Sequence, residues 1–344
     1  MRALVFHGPG DKSWDEVSGP KIEEDEDVLV RIDSVTICGT DLHILKGDVP
    51  EVKPGRVLGH EAVGTIVETG TAVRNRRVGD RVLVSCISAC GRCPSCLRGH
   101  YGLCQGGGGW LLGHLIDGVQ AELARVPFAD ISTHVLPNGL TDEQVLYLAD
   151  ILPTGYEVGV LNGRVQPGDV VAIVGAGPIG LAALVGAKLY SPRHVVVIDA
   201  AATRRDAAIE FGADSVAEPV DADVAVSELT DGRGADVTIE AVGIPETFEQ
   251  CCALVRPGGH VANIGVHGKP VTLHLEDLWI KDVTITTGLF DTFTIPTLLD
   301  LIAAKRIDPL KFTTHRFALG DAMAAYDTFA RAGETNAMKV LMSR

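Results

Sequence analysis

Between Val28 and Val84 the apolar positions fall in short β-branched runs, VLVRI, AVGTIV and RVLV, separated by Gly, Pro and Asp. That rhythm predicts an antiparallel, barrel-like β region. From Cys90 to Gly109 the alternation disappears, and a lobe with little secondary structure is expected. After Pro153 the pattern becomes strand, helix, strand: VVAIV, PIGLAALVGAKL, HVVVID, a helix through Ile209, DVTIE, then a helix before HVANIG. Such alternation predicts an α/β unit built on a doubly wound parallel sheet. The tail from Asp291 holds two helical stretches, IPTLLDLIAAK and DAMAAYDTFARA, and a strand-like KVLM. No internal repeat, low-complexity tract or long linker interrupts the chain.

A length of 344 residues exceeds one ordinary hydrophobic core, so two domains are expected. Val170 to Ala187 runs uncharged for 18 residues, about the minimum for a membrane span. Gly175, Gly177, Pro178 and Gly180 punctuate it midway, however, which predicts a buried strand, a tight turn and a helix start. With 30 basic against 45 acidic residues the net charge is −15, which repels both nucleic acid and anionic membrane surfaces. The opening segment MRALVFHGPGDKSW has too short an apolar stretch for a signal peptide and no small-residue cleavage site, so a cytoplasmic protein is expected. In that compartment the eight cysteines are read as metal ligands or core thiols rather than disulfides.

Cys90, Cys93, Cys96 and Cys104 form C-x2-C-x2-C-x7-C, with Gly91, Pro94, Gly99 and Gly102 supplying bends. Four thiolates at short intervals suit the closed tetrahedral shell of a structural zinc ion. An iron–sulfur cluster and a redox dithiol are the rival readings. Cys86, Cys251 and Cys252 are left as core thiols, and His100, His114 and His267 have no partner arguable from sequence.

The turn GAGPIG, carrying Gly175, Gly177, Pro178, Ile179 and Gly180, follows an apolar strand, opens a helix and precedes a second strand ending at Asp199. In that setting the motif is a dinucleotide-binding fingerprint, with the pyrophosphate facing the helix N-terminus. Asp199 stands where a carboxylate hydrogen-bonds the adenine-ribose 2′-hydroxyl and repels a 2′-phosphate, so NAD is favoured over NADP. Arg204 and Arg205 follow closely. Either could accommodate such a phosphate, or both could be solvated residues at a helix start.

Cys38-Gly-Thr40-Asp-Leu-His43 and Gly59-His60-Glu61 lie in the β-rich half. A thiolate and an imidazole are two zinc ligands, and a catalytic site needs a third with one open position. No cysteine lies between Cys104 and Cys251, so a third ligand ahead of the cofactor unit is His, Asp or Glu; Asp150 immediately precedes the segment ILPTGY. Taken singly, Cys38 could be a core thiol, His60 a satisfied strand-end histidine, Glu61 a surface carboxylate and Asp150 a helix cap. Jointly, beside a cofactor turn, they favour a reaction centre.

Over essentially its whole length, from CGTD and GHE through the four-cysteine lobe to TGY and GAGPIG, the chain resembles the zinc-dependent medium-chain alcohol dehydrogenases. The resemblance implies a GroES-like β-barrel catalytic domain over residues 1–153 with a zinc lobe at 88–109. It further implies a Rossmann NAD-binding domain over 154–290 and a C-terminal segment, 291–344, returning to the catalytic domain. It implies two zinc ions per chain, the catalytic one held by Cys38, His60 and Asp150, with Glu61 as the glutamate that enters the shell during ligand exchange. An aspartate ligand is similar to microbial tetrameric secondary-alcohol dehydrogenases, and Trp110 resembles a bulky pocket residue there.

Hydride transfer requires an alkoxide, which a zinc ion stabilises at neutral pH. Thr40 is placed to receive the hydroxyl proton, His43 resembles the relay histidine that carries it outward, and Thr154 is assigned a nicotinamide contact. A small alcohol or carbonyl compound is the expected substrate, with a homotetramer, or alternatively a dimer, as the assembly. Polyol, butanediol and threonine dehydrogenases share these motifs. A non-catalytic protein binding NAD and zinc is the reading from another class, and the intact Thr40, His43 and Glu61 argue against it. A zinc-free quinone reductase of similar fold is disfavoured by both metal motifs.

Overall fold

The computed structural model describes residues 1–344. It divides into a first unit, Met1–Asp150 with Asp291–Arg344, and a second, Ile151–Phe290. The division falls just before ILPTGY rather than inside it, because the helical segments Ile151–Thr154 and Gly155–Leu161 pack on the helix Pro178–Lys188 of the second unit.

In the first unit a seven-stranded sheet runs in the order Thr133–Val135, Arg81–Val84, Ala62–Thr69, Val28–Thr36, Lys339–Ser343, Thr313–Ala318, with Leu123–Val126 also paired to Val28–Thr36. Val28–Thr36 is buried along most of its length, as a strand wrapped by its own sheet must be. Its Val28, Val30, Ile32 and Val35 join Ile66, Val82 and Val84 in one core. The expected antiparallel pairing has one exception, since Thr313–Ala318 and Lys339–Ser343 run parallel. The helix Ala322–Ala330 lies between them in sequence, the crossover that parallel neighbours require. The cysteine lobe contains only two single 3₁₀ turns, Cys96–Arg98 and Tyr101–Leu103, above the short strand pair Ile87–Ser88 and Gly109–Trp110.

The second unit is a six-stranded, all-parallel sheet in the order Ser215–Ala217, His194–Ile198, Val170–Val174, Ala235–Glu240, Val255–Asn263, Thr284–Thr287. Val170–Val174 is buried at every residue and has neighbours that follow it in the chain on both sides. Its carboxyl end is therefore the point where strand order reverses, the place where α/β sheets bind ligands. The apolar run Val170 to Ala187 resolves into this strand and the helix Pro178–Lys188, and no helix of the chain is long and apolar enough to cross a membrane. The edge strand Thr284–Thr287 escaped the apolar pattern because three of its four residues are threonine.

Candidate metal centre and cofactor turn

Local bends bring the lobe cysteines together. Cys93 and Cys96 Sγ lie 3.4 Å apart and Cys90 and Cys96 Sγ 4.0 Å apart, close to the roughly 3.8 Å edge of a tetrahedron with Zn–S bonds of about 2.3 Å. Backbone N–H groups point at the sulfurs: Gln105 donates to Cys93 Sγ (3.3 Å), and Cys90 and Gly106 donate to Cys104 Sγ (3.4 Å each). Hydrogen bonds from the backbone of Cys96 and Gln105 hold the Cys93 thiol down to about 6. Burial and the hydrogen bond with Cys93 push Cys96 up to about 12. One thiolate is thus already favoured, and the set fits a soft divalent cation.

Cys38 stands at the start of the helix Gly39–Lys46, where its N–H is held by the Asp41 carboxylate at 2.9 Å. His60 and Glu61 lead into the strand Ala62–Thr69, and Asp150 closes the first unit. These four residues converge, with one ligand atom from each within 4.8 Å of all the others. Asp150 Oδ2 is 3.5 Å from both Cys38 Sγ and His60 Nε2, matching the roughly 3.3–3.8 Å ligand separations of a tetrahedral zinc shell of sulfur, nitrogen and oxygen. Burial, and then the charge of Asp150, raise the Cys38 thiol. Burial opposes charge on His60, yet hydrogen bonding to Asp150 and Cys38 raises its imidazole well above the usual value. A thiol, an imidazole and a carboxylate brought together at this spacing form a donor set that fits a metal ion, whose binding would displace their protons.

Thr40 Oγ1 lies 3.5 Å from Cys38 Sγ. His43, three residues on and so on the same helix face, is 44% exposed and binds Asp48 through Nδ1 at 2.8 Å. Glu61 does not stand free: Lys339 Nζ donates to both of its oxygens at 2.8 and 3.0 Å, and to the Ile37 carbonyl at 2.9 Å. Lys339 and Glu61 are each 1% exposed. The lysine is a site residue that sequence reasoning missed, although a lone cation inside the strand-like KVLM was a signal. Trp110 packs edge-on to His60, with centroids 6.0 Å apart, and stacks on His114 at 4.1 Å. Thr154 belongs to the second unit, in the helical turn Ile151–Thr154.

At the cofactor turn Gly175 adopts φ +103°, and a Cβ on Gly180 would lie 1.9 Å from the Gly175 carbonyl oxygen, so both positions require glycine. A Cβ on Gly177 would meet nothing within 4 Å, leaving open space beside the N-terminus of the helix that Pro178 and Ile179 begin. Asp199 braces the turn, accepting from Ala176 N and Ala201 N at 2.8 Å each. Each oxygen keeps acceptor capacity for a hydroxyl. Arg205 is committed elsewhere, donating to the Asp199 and Ala200 carbonyls and to Glu218. Burial lowers Arg204, opposed by the charge of Asp199.

The histidines without a sequence partner acquire one. His114 stacks on Trp110, His100 lies 3.3 Å from Asp291, and His267 bonds Asn263 at 2.8 Å near the buried Glu240. Cys86, Cys251 and Cys252 are buried free thiols.

Residues 24–137 match the family described as alcohol dehydrogenase GroES-like domain, and residues 178–304 match the zinc-binding dehydrogenase family. An alcohol dehydrogenase of Cupriavidus necator is 38% identical, the match covering 96% of this chain and 95% of that one. The solved apo structure of zinc-dependent alcohol dehydrogenase 2 from Streptococcus pneumonia superposes with a TM-score of 0.96 at 46% identity, over 100% of this chain and 98% of that one. A zinc-binding dehydrogenase from Sinorhizobium meliloti 1021, solved with NADP, superposes with a TM-score of 0.87 at 30% identity, over 100% and 99% of the two chains. The chain belongs to the zinc-dependent medium-chain alcohol dehydrogenase family, with a GroES-like domain and a Rossmann domain.

Proposed function

We propose that the protein interconverts a small secondary alcohol and its ketone with NAD, using a zinc ion held by Cys38, His60 and Asp150. A second zinc is held for stability by Cys90, Cys93, Cys96 and Cys104. The carrying observation is the convergence of Cys38, His60 and Asp150 at tetrahedral spacing, with Thr40 3.5 Å from the thiol. When bound, zinc supplies a Lewis acid for the alcohol oxygen and the nicotinamide supplies the hydride acceptor. Thr40 Oγ1 accepts the hydroxyl proton and passes it to His43, whose half-exposed ring, oriented by Asp48, releases it to water. Glu61, paired with Lys339 and with a carboxylate oxygen within 4.8 Å of the ligand atoms, is the residue that enters the shell when one of them exchanges.

The turn of Gly175, Gly177, Pro178, Ile179 and Gly180 receives the pyrophosphate, Asp199 the adenine ribose and Thr154 the nicotinamide. Asp199 disfavours a 2′-phosphate, and Arg204 flanks the ribose. The net charge of −15 supports a small-molecule partner over nucleic acid or membrane. Cysteines that serve as zinc ligands or buried core thiols rather than disulfides support a cytoplasmic setting. The exposed Trp279, Ile280 and Leu275 (75, 73 and 60%), just before the edge strand Thr284–Thr287, support a homo-oligomer, read as a tetramer.

Initial rates over primary, secondary, diol and amino alcohols with NAD and NADP, on protein of measured zinc content, test this. Fast oxidation of secondary alcohols with NAD and two zinc ions per chain is expected. A diol, polyol or amino alcohol as best substrate transfers the reading to a sister dehydrogenase. No activity, with zinc only in the lobe, overturns it.

A further inference from the structure

Gln120 is completely buried, a costly place for an amide unless every polar atom is matched. Its Nε2 donates to Asp41 Oδ2 (3.1 Å) and to the Thr36 carbonyl (3.2 Å), while its Oε1 accepts from Tyr326 Oη at 2.7 Å. Two acceptors on one side and a hydroxyl donor on the other leave only this orientation of the amide. Tyr326, on the helix Ala322–Ala330, is itself wholly buried, and burial, then the charge of Asp41, push its phenol well above the usual value and keep it a donor.

The backbone around Gln120 is tied to the segment bearing His60: Gln120 N donates to the Leu58 carbonyl (2.9 Å) and Val119 N to the Gly59 carbonyl (3.0 Å). Gly59 has φ +89°, and a Cβ there would lie 2.4 Å from Gln120 Cγ. The glutamine stem crosses the main chain just before the histidine, and only glycine leaves it room.

Asp41 Oδ2 already accepts from Cys38 N and Gln120 Nε2, whereas Oδ1 is buried without a hydrogen bond. His60 Nδ1 is likewise buried and unmatched, 3.9 Å from that Oδ1. The gap exceeds a hydrogen bond by about 1 Å. We propose that Gln120 and Tyr326 are positioning residues of the metal centre: together they hold Asp41 so that its remaining oxygen receives the Nδ1–H of His60 and Nε2 faces the ion. This rests on the reading of Cys38, His60 and Asp150 as metal ligands. A carboxylate behind a ligating histidine fixes its tautomer and ring plane, and here a glutamine and a tyrosine from distant parts of the chain fix the carboxylate.

The test is zinc retention by the full-length protein during chelator competition, together with the visible spectrum after cobalt replacement. Gln120→Met keeps volume but removes both polar functions; Tyr326→Phe removes one oxygen. Expected are a roughly ten- to hundredfold weaker hold on the catalytic ion in Gln120→Met, a smaller loss in Tyr326→Phe, an altered cobalt spectrum, and unchanged zinc in the four-cysteine lobe. Wild-type affinity and spectrum in both variants would overturn the inference. Equal loss from both zinc sites in Tyr326→Phe would also overturn it, since that marks general loosening. If Gln120→Met does not fold, Tyr326→Phe decides. A wild-type protein holding zinc only in the lobe would overturn the ligand reading itself, a result distinct from two ions held normally by both variants.

Discussion

Two single-methyl substitutions in the GAGPIG turn separate folding from cofactor recognition. At Gly180 the added Cβ would lie 1.9 Å from the Gly175 carbonyl oxygen, roughly 1.5 Å inside an ordinary contact, so strand end and helix start must move apart. Overpacking of this kind costs about 1–3 kcal/mol. At about 3 °C per kcal/mol, Gly180→Ala should lower the melting temperature by roughly 3–9 °C and weaken NADH binding as well. At Gly177 the same methyl meets nothing within 4 Å, so the apo protein should melt unchanged. The methyl instead occupies the space through which the backbone approaches a pyrophosphate, and a roughly tenfold or greater rise in the NADH dissociation constant is expected. Thermal melts without ligand and fluorescence titration with NADH read the two effects separately. Gly177→Ala binding NADH with wild-type affinity would refute the placement of the pyrophosphate, and a melting temperature lowered as far as in Gly180→Ala would refute the claim of open space.

His134 carries a prediction for acid stability. Its Nε2 is buried without a partner, and burial, then the charge of Arg76, lower the imidazole to about 4. Against about 6.5 unfolded, the native state loses about 2 kcal/mol from this residue between pH 7.5 and 5. His134→Phe should recover that amount at pH 5 in urea melts, and a parallel pH profile would dismiss the assignment. His43→Ala should cut turnover by roughly 10²-fold near neutrality, with partial rescue at high pH; loss of equal size at all pH values would end the relay role. Lys339→Met strands Glu61 as a buried, unpaired acid and should cost about 3–5 kcal/mol in denaturant unfolding, so an unchanged midpoint would show that the pair contributes nothing.

Much of this protein was legible along the chain because its signals are local. The spacing of Cys90, Cys93, Cys96 and Cys104 constrains four sulfurs within one short loop, and GAGPIG encodes a strand-to-helix turn by steric necessity at Gly175 and Gly180. Period and punctuation likewise separated a β-rich half from a parallel α/β unit. Asp150, by contrast, was one acidic candidate until the family resemblance singled it out, since nothing adjacent marks a carboxylate that meets Cys38 from 112 residues away.

Only tertiary structure could pair Lys339 with Glu61 or join Tyr326, Gln120 and Asp41 into one buried line. Each is a polar side chain whose placement is tolerable solely because a partner from another segment satisfies it. The parallel strand pair Thr313–Ala318 and Lys339–Ser343 likewise forms only once the intervening helix has brought its two strands together. A chain specifies by itself what near neighbours and repeating periods can impose. Long-range matching of buried charge and hydrogen bonds is decided when the fold closes, because desolvation penalises every such group until its distant partner arrives.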